Sequence, residues 1–372
     1  MNQNNSSMML KTYKYRLRPN KVQEKQLLVV LDSSRKLYNT GLEELITHYK
    51  QTGRHLNRFA HDRLHNKQTD PNLPAVVVDT TIVRLHQSFS NFFRRLKTGE
   101  KPGFPRFKSY DRHKSFAFRD TLNKLKGNYF NSGKACAGKI RVNVHREMEG
   151  VFKFARIVKQ PSGWYLQCVC ETETKPLKKT GNQVGVDVGI KYLIADSNGN
   201  FVQNDKPLRN KLNKLRTLQR VVLRRKKGGV NRRKAVKNVA RQHERITNRR
   251  KDTLHKVARE YVNKNDVIVM EDLRVNNMVR NHHLALSIMD ASWGMLRNML
   301  MYKAEEAGRK LIVVPPHFTS QKCYGCGEIV QKSLSVRTHL CPNCGFTADR
   351  DHNAALNILR AGTQPLGDNV CH

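Results

Sequence analysis

The sequence is short of acids. Thirty Asp and Glu stand against 69 Lys and Arg, and the formal net charge is +39. A surplus that large repels itself unless a polyanion neutralises it, and it supplies the counterion-release term that drives phosphate binding. Apolar runs of about 18 residues are lacking too, as is a signal peptide, which argues against a membrane partner. The expected location is therefore the cytosol. Disulfides are not expected in that compartment. Four of the eight cysteines fall in one cluster, and Cys136, Cys168, Cys170 and Cys371 stand apart from it. What remains is a chain of 372 residues, 38% hydrophobic, long enough for two or three modules with a sizeable core.

The polar lead MNQNNSS reads as disordered. Lys11–Arg18 (KTYKYRLR) alternates, with Tyr13, Tyr15 and Leu17 on one face and Lys14, Arg16 and Arg18 on the other. That is a half-buried strand with a cationic side. Asn20 followed by Gln23 is a capping box, and Leu27, Leu31, Tyr38, Leu42, Leu45 and Tyr49 recur at helical spacing after it. A second helix is expected over Val76–Leu96. Lys97–Lys108 then breaks both periods, with Phe104 and Phe107 interleaved among Arg106 and Lys108. Two readings stay open there: a linker pinned by two aromatics, or a contact in which rings stack bases and cations hold phosphates. From Phe116 to Thr174 the pattern is β, and with the first strand it has the makings of a small barrel. Cys168 and Cys170 share a face with Leu166 and read as core. Lys175–Gln183 is the expected domain boundary.

VGVDVG (Val184–Gly189) places Asp187 inside an apolar strand, and Lys191–Asp196 is a second strand. Lys206–Lys256 carries 20 Lys or Arg against Glu244 and Asp252 alone. Leucines at helical spacing predict a long helix, a break at Gly228-Gly229 and another helix. Like charges four apart destabilise an isolated helix, so this composition points to a polyanion lying along it. Arg216, Arg220, Arg224, Arg225, Arg232, Arg233 and Arg241 are the candidate contacts, together with Phe104, Arg106, Phe107 and Lys108. Further on, DVIVMEDL ends a strand in two acids, Trp293–Gly308 is an amphipathic helix, and KLIVVP is another strand.

Cys323-x-x-Cys326 is followed, fourteen residues on, by Cys341-x-x-Cys344. Two such knuckles make a tetrahedral Cys₄ site, which binds one structural zinc because no coordination position is left open. His339 is a surplus ligand nearby. The other constellation is dispersed: Asp187 in its strand, Glu271 at the end of another, and Asp351 opening the helix DHNAALNIL. A charge in an apolar strand is costly unless paired or metal-bound. Carboxylates converging at strand ends and a helix start can hold two Mg²⁺ roughly 4 Å apart. Asp196, Asp272 and Asp349 are the nearest alternative ligands.

These motifs, in the order VGVDVGIK, VMEDL, TSQKCYGCG, CPNCG and DRDHNAALNI, resemble the TnpB family, the OrfB proteins of bacterial and archaeal insertion sequences. KTYKYRLR and KPGFPRFK resemble it as well, so the likeness runs from about residue 9 to 360. The resemblance implies an RNA-guided DNA endonuclease related to the ancestors of type V CRISPR effectors. Its partners would be a guide RNA from the transposon end and a target duplex cut beside a short adjacent motif. It also implies Asp187, Glu271 and Asp351 as a RuvC-like triad; inactivated relatives lack these acids, and all three are present here.

The fold class expected is α/β plus a β-barrel. A wedge-type barrel would take 9–19 and 110–180, with a helical recognition insertion at 20–109. An RNase H-like nuclease would take 181–314 and 347–361, with a zinc ribbon inserted at 315–346. Residues 1–8 and 362–372 would be terminal tails. Two other classes are weighed beside it. One is a transposase that joins DNA strands without RNA. The other is a non-catalytic nucleic-acid-binding regulator of a transposase encoded by the same element.

Overall fold

The structure is a computed structural model, and it describes residues 8–66, 71–119, 125–133, 136–333 and 336–364. The expected disordered lead, the end of the tail and Cys371 lie outside these residues. The chain divides into two compact units between Glu173 and Thr174, just ahead of the expected boundary stretch. Among the described residues, no helix is long and apolar enough to cross a membrane.

The first unit opens with β1 (Met8–Arg18), which takes in Met8 from the expected lead. α1 (Lys21–Thr52), α2 (Arg58–Asn66) and α3 (Ala75–Lys97) follow. Among the described residues six more strands follow: β2 (Ser115–Arg119), β3 (Leu125–Lys126), β4 (Tyr129–Asn131), β5 (Lys139–Asn143), β6 (Val151–Gln160) and β7 (Gly163–Glu173). The capping box forms: Asn20 accepts from the Gln23 amide and Gln23 from the Asn20 amide. Tyr13, Tyr15 and Leu17 are buried as their alternation requires, against Leu27 and Val30 of α1. Tyr49, expected on the same helical stripe, is 58% exposed. Cys168 and Cys170 pair with Tyr13 and Lys11 across the β1–β7 ladder and are core, with burial pushing the Cys168 thiol up to about 12.

The strands bond in the order β2-β6-β7-β1-β5-β4-β3, antiparallel throughout. The barrel expected from the sequence is thus an open sheet among the described residues: β2 and β3 are its edges. Strand periodicity cannot foretell this, because it reports which face is buried and not which strands pair.

The second unit is built on β8 (Gln183–Asp187), β9 (Tyr192–Asp196), β10 (Phe201–Gln203), β11 (Val267–Glu271) and β12 (Lys310–Val314), in the order β10-β9-β8-β11-β12. β10, β9 and β8 are antiparallel, while β8, β11 and β12 run parallel. Between them come a 3₁₀ turn (Arg209–Lys211), α4 (Leu212–Leu223) and α5 (Val230–Lys264), the long basic pair. α6 (Val275–Met278), α7 (His282–Ala291) and α8 (Trp293–Glu306) follow β11. The hairpin β13 (Thr338–Leu340) and β14 (Thr347–Asp349) leads into α9 (Arg350–Thr363). α9 therefore takes in Gly362 and Thr363, the start of the expected C-terminal tail.

Alternation divides this sheet cleanly. Val184, Val186, Ile268 and Met270 pack with Leu254, Val257, Ala258 and Val262 of α5 and Leu296 and Leu300 of α8. Val269 packs instead with Ile358 of α9. Gly185 belongs to this second face, and α9 lies almost on its backbone. A Cβ at Gly185 would stand 2.1 Å from the Ala355 carbonyl oxygen, and one at Gly362 would stand 2.4 Å from a Val269 methyl. Gly185→Ala must push α9 off the sheet, at a cost of about 1–3 kcal/mol. Denaturant unfolding will register that loss, and a midpoint equal to the parent's would mean that α9 does not sit this close.

Candidate active site

Period-two alternation also decides where the acids point. Asp187 follows Gly185 by two residues and Glu271 follows Val269 by two, so both face α9. β8 and β11 are parallel neighbours with Val186 opposite Met270, which puts the two acids side by side at the same edge. Asp187 is the last residue of β8 rather than a mid-strand residue. The apolar run continues into buried Val188, so sequence alone extends the strand too far. Asp349 is the N-cap of α9, and Asp351 sits in its first turn, 8% exposed. There the helix dipole favours its negative charge.

The three predicted carboxylates therefore converge. The Asp187 carboxyl is held well above the ordinary range by burial, then by the charges of Glu271 and Asp351, with Arg350 opposing. Burial also raises Glu271, against a hydrogen bond from Thr319. Asp351 accepts from Arg350 Nε at 3.2 Å and Nη2 at 3.1 Å, and from Arg337 Nη1 at 3.3 Å. The charges of Glu271 and Asp351 thus both bear on buried Asp187. The alternative ligands are otherwise employed. Asp196 accepts from the Asn198 and Asn200 amides at 2.9 Å and from the Tyr261 hydroxyl at 2.9 Å. Asp272 pairs with Arg297, and Asp349 caps its helix.

The four cysteines also come together. Their sulfurs lie within 4.8 Å of one another, with Cys323–Cys344 at 3.7 Å and Cys326–Cys341 at 3.5 Å. Tetrahedral zinc at about 2.3 Å from each sulfur needs separations near 3.8 Å. The Glu328 amide draws Cys326 down to about 7; against the pull of the Phe346 amide, that sulfur pushes Cys344 up to about 12. Four sulfurs gathered this closely are a donor set that fits one tetrahedral zinc. His339 is not among the clustered ligands; it is fully buried beside Lys332.

Sequence reasoning missed what joins the two sites. Asn353 Oδ1 accepts from the Tyr324 amide at 3.0 Å, and its Nδ2 donates to the Lys322 carbonyl at 2.9 Å. Asn357 donates to the carbonyls of Thr319 and Lys322 at 2.9 and 2.7 Å, and Arg360 to that of Tyr324 at 2.6 Å. Thr319, in the strap so held, donates to Glu271. The signal was present: Asn353, Asn357 and Arg360 recur at helical spacing and form a polar stripe on an otherwise apolar helix.

Of the proposed nucleic-acid contacts, Arg216, Arg220, Arg224, Arg225, Arg233 and Arg241 are exposed along α4, its end and α5. Arg232 is part-buried and donates to the Val222 and Arg225 carbonyls at 2.7 and 3.2 Å, so it finishes α4. In the other basic segment Phe104 packs edge-on to Phe89 and Phe92, with centroids at 5.6 and 5.4 Å. Lys108 is fastened by Asn39 through its amide and carbonyl. Arg106 and Phe107 are exposed.

Comparison with known proteins shows which family the chain belongs to. Residues 167–282 match the OrfB_IS605 family model, described as "Probable transposase". Residues 293–358 match the Cas12f1-like TNB domain, and residues 8–54 a helix-turn-helix domain of the same OrfB group. In this chain the last of these is a strand and one unbroken helix. A Streptomyces pristinaespiralis protein named "Putative RNA-guided DNA endonuclease" is 33% identical over 97% of this chain and 92% of its own length. The Escherichia coli protein named "Putative RNA-guided DNA endonuclease InsQ" is 28% identical over 95% and 92%. A Cas12f1 solved in a complex with sgRNA and target DNA superposes with a TM-score of 0.60 at 16% identity, covering 91% of this chain and 82% of that one; the likeness is one of fold. The chain is thus one of the OrfB proteins of insertion sequences. Within that class it belongs to the TnpB family.

Asn357→Leu removes the partner of two strap carbonyls while keeping the helix, and should cost about 1–3 kcal/mol. Urea unfolding measures it; an unchanged midpoint would mean the strap is held by something else.

Proposed function

We propose that this chain is an RNA-guided DNA endonuclease whose hydrolytic centre is Asp187, Glu271 and Asp351. The observation that carries the reading is the convergence of these acids from two adjacent parallel strands and the start of α9. The names of the full-length relatives support guidance by RNA and action on DNA. By this reading the five-stranded unit is an RNase H-like, RuvC-type nuclease, and the cysteine lobe a zinc ribbon inserted into it. The open sheet with α1 to α3 is the wedge-type and recognition part.

Asp187, Glu271 and Asp351 would hold two Mg²⁺. When bound, such a pair supplies an activated water and charge stabilisation at the leaving 3′ oxygen of a phosphodiester. The chain's own groups do the positioning. Thr319 fixes the Glu271 carboxylate, and Arg350 and Arg337 fix that of Asp351. The exposed arginines of α4 and α5 hold an RNA–DNA hybrid by backbone charge and shape, leaving sequence to base pairing. One zinc at Cys323, Cys326, Cys341 and Cys344 stiffens the lobe from which Thr319 and Arg337 reach the acids.

The protein purified from cells should carry RNA and cut only DNA that matches it. Asp187→Ala should keep RNA and bind matched DNA but lose cleavage by about a thousandfold or more, which removing one preorganised charge of a catalytic centre can produce. Normal cleavage by that variant would refute the triad. Cleavage without guide complementarity would refute guidance, and joined rather than cut products would favour the transposase. Cys341→Ser should lower zinc by one per chain; undiminished zinc in metal analysis would sink the Cys₄ assignment.

A further inference from the structure

α2 docks in an unusual way. Among its described side chains the two buried ones are histidines, His61 at 0% and His65 at 4% exposure, while its large apolar residues Phe59 and Leu64 face out at 66% and 55%. A nine-residue helix is not stable alone, and this one gains little apolar burial by docking. What holds it is whatever its histidines bind. They are four residues apart and share a face. Both aim Nε2 at one oxygen of Glu44 on α1, at 2.9 Å from His61 and 2.7 Å from His65. The three ligand atoms lie within 4.8 Å of one another. On the far side of the ring, His61 Nδ1 is 3.0 Å from Nε2 of His86 on α3. Gly41 on α1 leaves room for the ring: a Cβ there would come within 3.2 Å of His61 Cε1.

We propose that Glu44, His61 and His65 form a second metal site, one that takes Zn²⁺ and clamps α2 to α1. Two imidazole nitrogens and a carboxylate are a zinc donor set, with water completing the tetrahedron. Imidazole donors exclude Mg²⁺ and Ca²⁺, which take oxygen. His86 supplies the outer contact such sites have: a ligating His61 donates Nδ1–H to His86 Nε2, which fixes both tautomer and ring. Zinc bonds of about 2.0–2.1 Å separate tetrahedral donors by about 3.3 Å, so the cluster must open by roughly half an ångström. Rotation of the Glu44 side chain, 36% exposed, provides that. The site shares no residue with the proposed nuclease centre or the cysteine lobe, so it stands or falls apart from them.

The test uses the full-length, untagged chain with excess Mg²⁺ present to occupy the carboxylate centre. Metal analysis should find two zinc per chain. His65→Gln, whose amide can still donate to Glu44, should hold one, Cys341→Ser one, and the double variant none. With Co²⁺ in place of zinc, the cysteine site gives thiolate charge-transfer absorption and the second site gives d–d bands alone. Those d–d bands should survive Cys341→Ser and vanish in the double variant. One zinc in the parent chain, or two that His65→Gln leaves in place, overturns the proposal and leaves a hydrogen-bonded histidine–glutamate cluster. Should His65→Gln fail to fold by circular dichroism, Co²⁺ titration of the metal-stripped parent chain decides. A second equivalent without thiolate absorption supports the site, and saturation at one equivalent overturns it.

Discussion

The second unit depends on one close contact: α9 lying on the backbone of β8 and β11. Two glycines permit it, and Ala354, Ala355 and Ile358, all buried, fill it. The contact must be strong because it works against electrostatics. It carries Asp351 toward Asp187, whose charged form is disfavoured by burial and by the charges of Glu271 and Asp351. Packing on the α9 face and the two arginines on Asp351 offset that cost. A folded unit of this kind is stabilised by any cation that binds the acids, since the unfolded chain has no such cluster to offer.

The same helix ties the cysteine lobe to the acids. Its apolar stripe meets the sheet, and its polar stripe of Asn353, Asn357 and Arg360 grips the strap 319–324 that ends in the first knuckle. The strap in turn delivers Thr319 to Glu271. A lobe that looks like an insertion by sequence is, in its contacts, part of the framework around the carboxylates. Disturbing the cysteines therefore reaches the acids through three short steps.

Much of this was legible beforehand, for identifiable reasons. Cysteine spacing is a local geometric code, so the cluster could be read outright. Strands β1, β8, β11 and β12 and helices α1, α3 and α8 announce themselves by period, because each buries one face or both. α2 does not: its buried face is histidine, which no apolar pattern detects. α6 and α7 are too short to establish a period. Strand partners in the first unit were not legible either, and among the described residues a half-barrel sheet, with β2 and β3 as its edges, stands where a barrel was expected. Of the acids, spacing marked Asp187, Glu271 and Asp351 as a plausible cluster with Asp196, Asp272 and Asp349 beside them, and the family resemblance supplied most of the weight for the first three. In the structure Asp196, Asp272 and Asp349 each make a bond of their own, to Asn200, Arg297 and the start of α9. Among the arginines, Arg232 looked like its neighbours on a basic helix and instead ends α4.

The order of the carboxylates along the chain has a bearing on biosynthesis. Asp187 and Glu271 emerge from the ribosome well before α9, and domains fold as their segments appear. Until residue 363 is out, the growing protein holds two neighbouring acids, no helix to cover that face of the sheet, and a complete basic helix pair. A truncated translation product would keep the basic pair and lack the three-acid cluster. Completion of the cluster is thus tied to the last of the described elements to be made, which separates in time the part rich in cations from the part that gathers the acids.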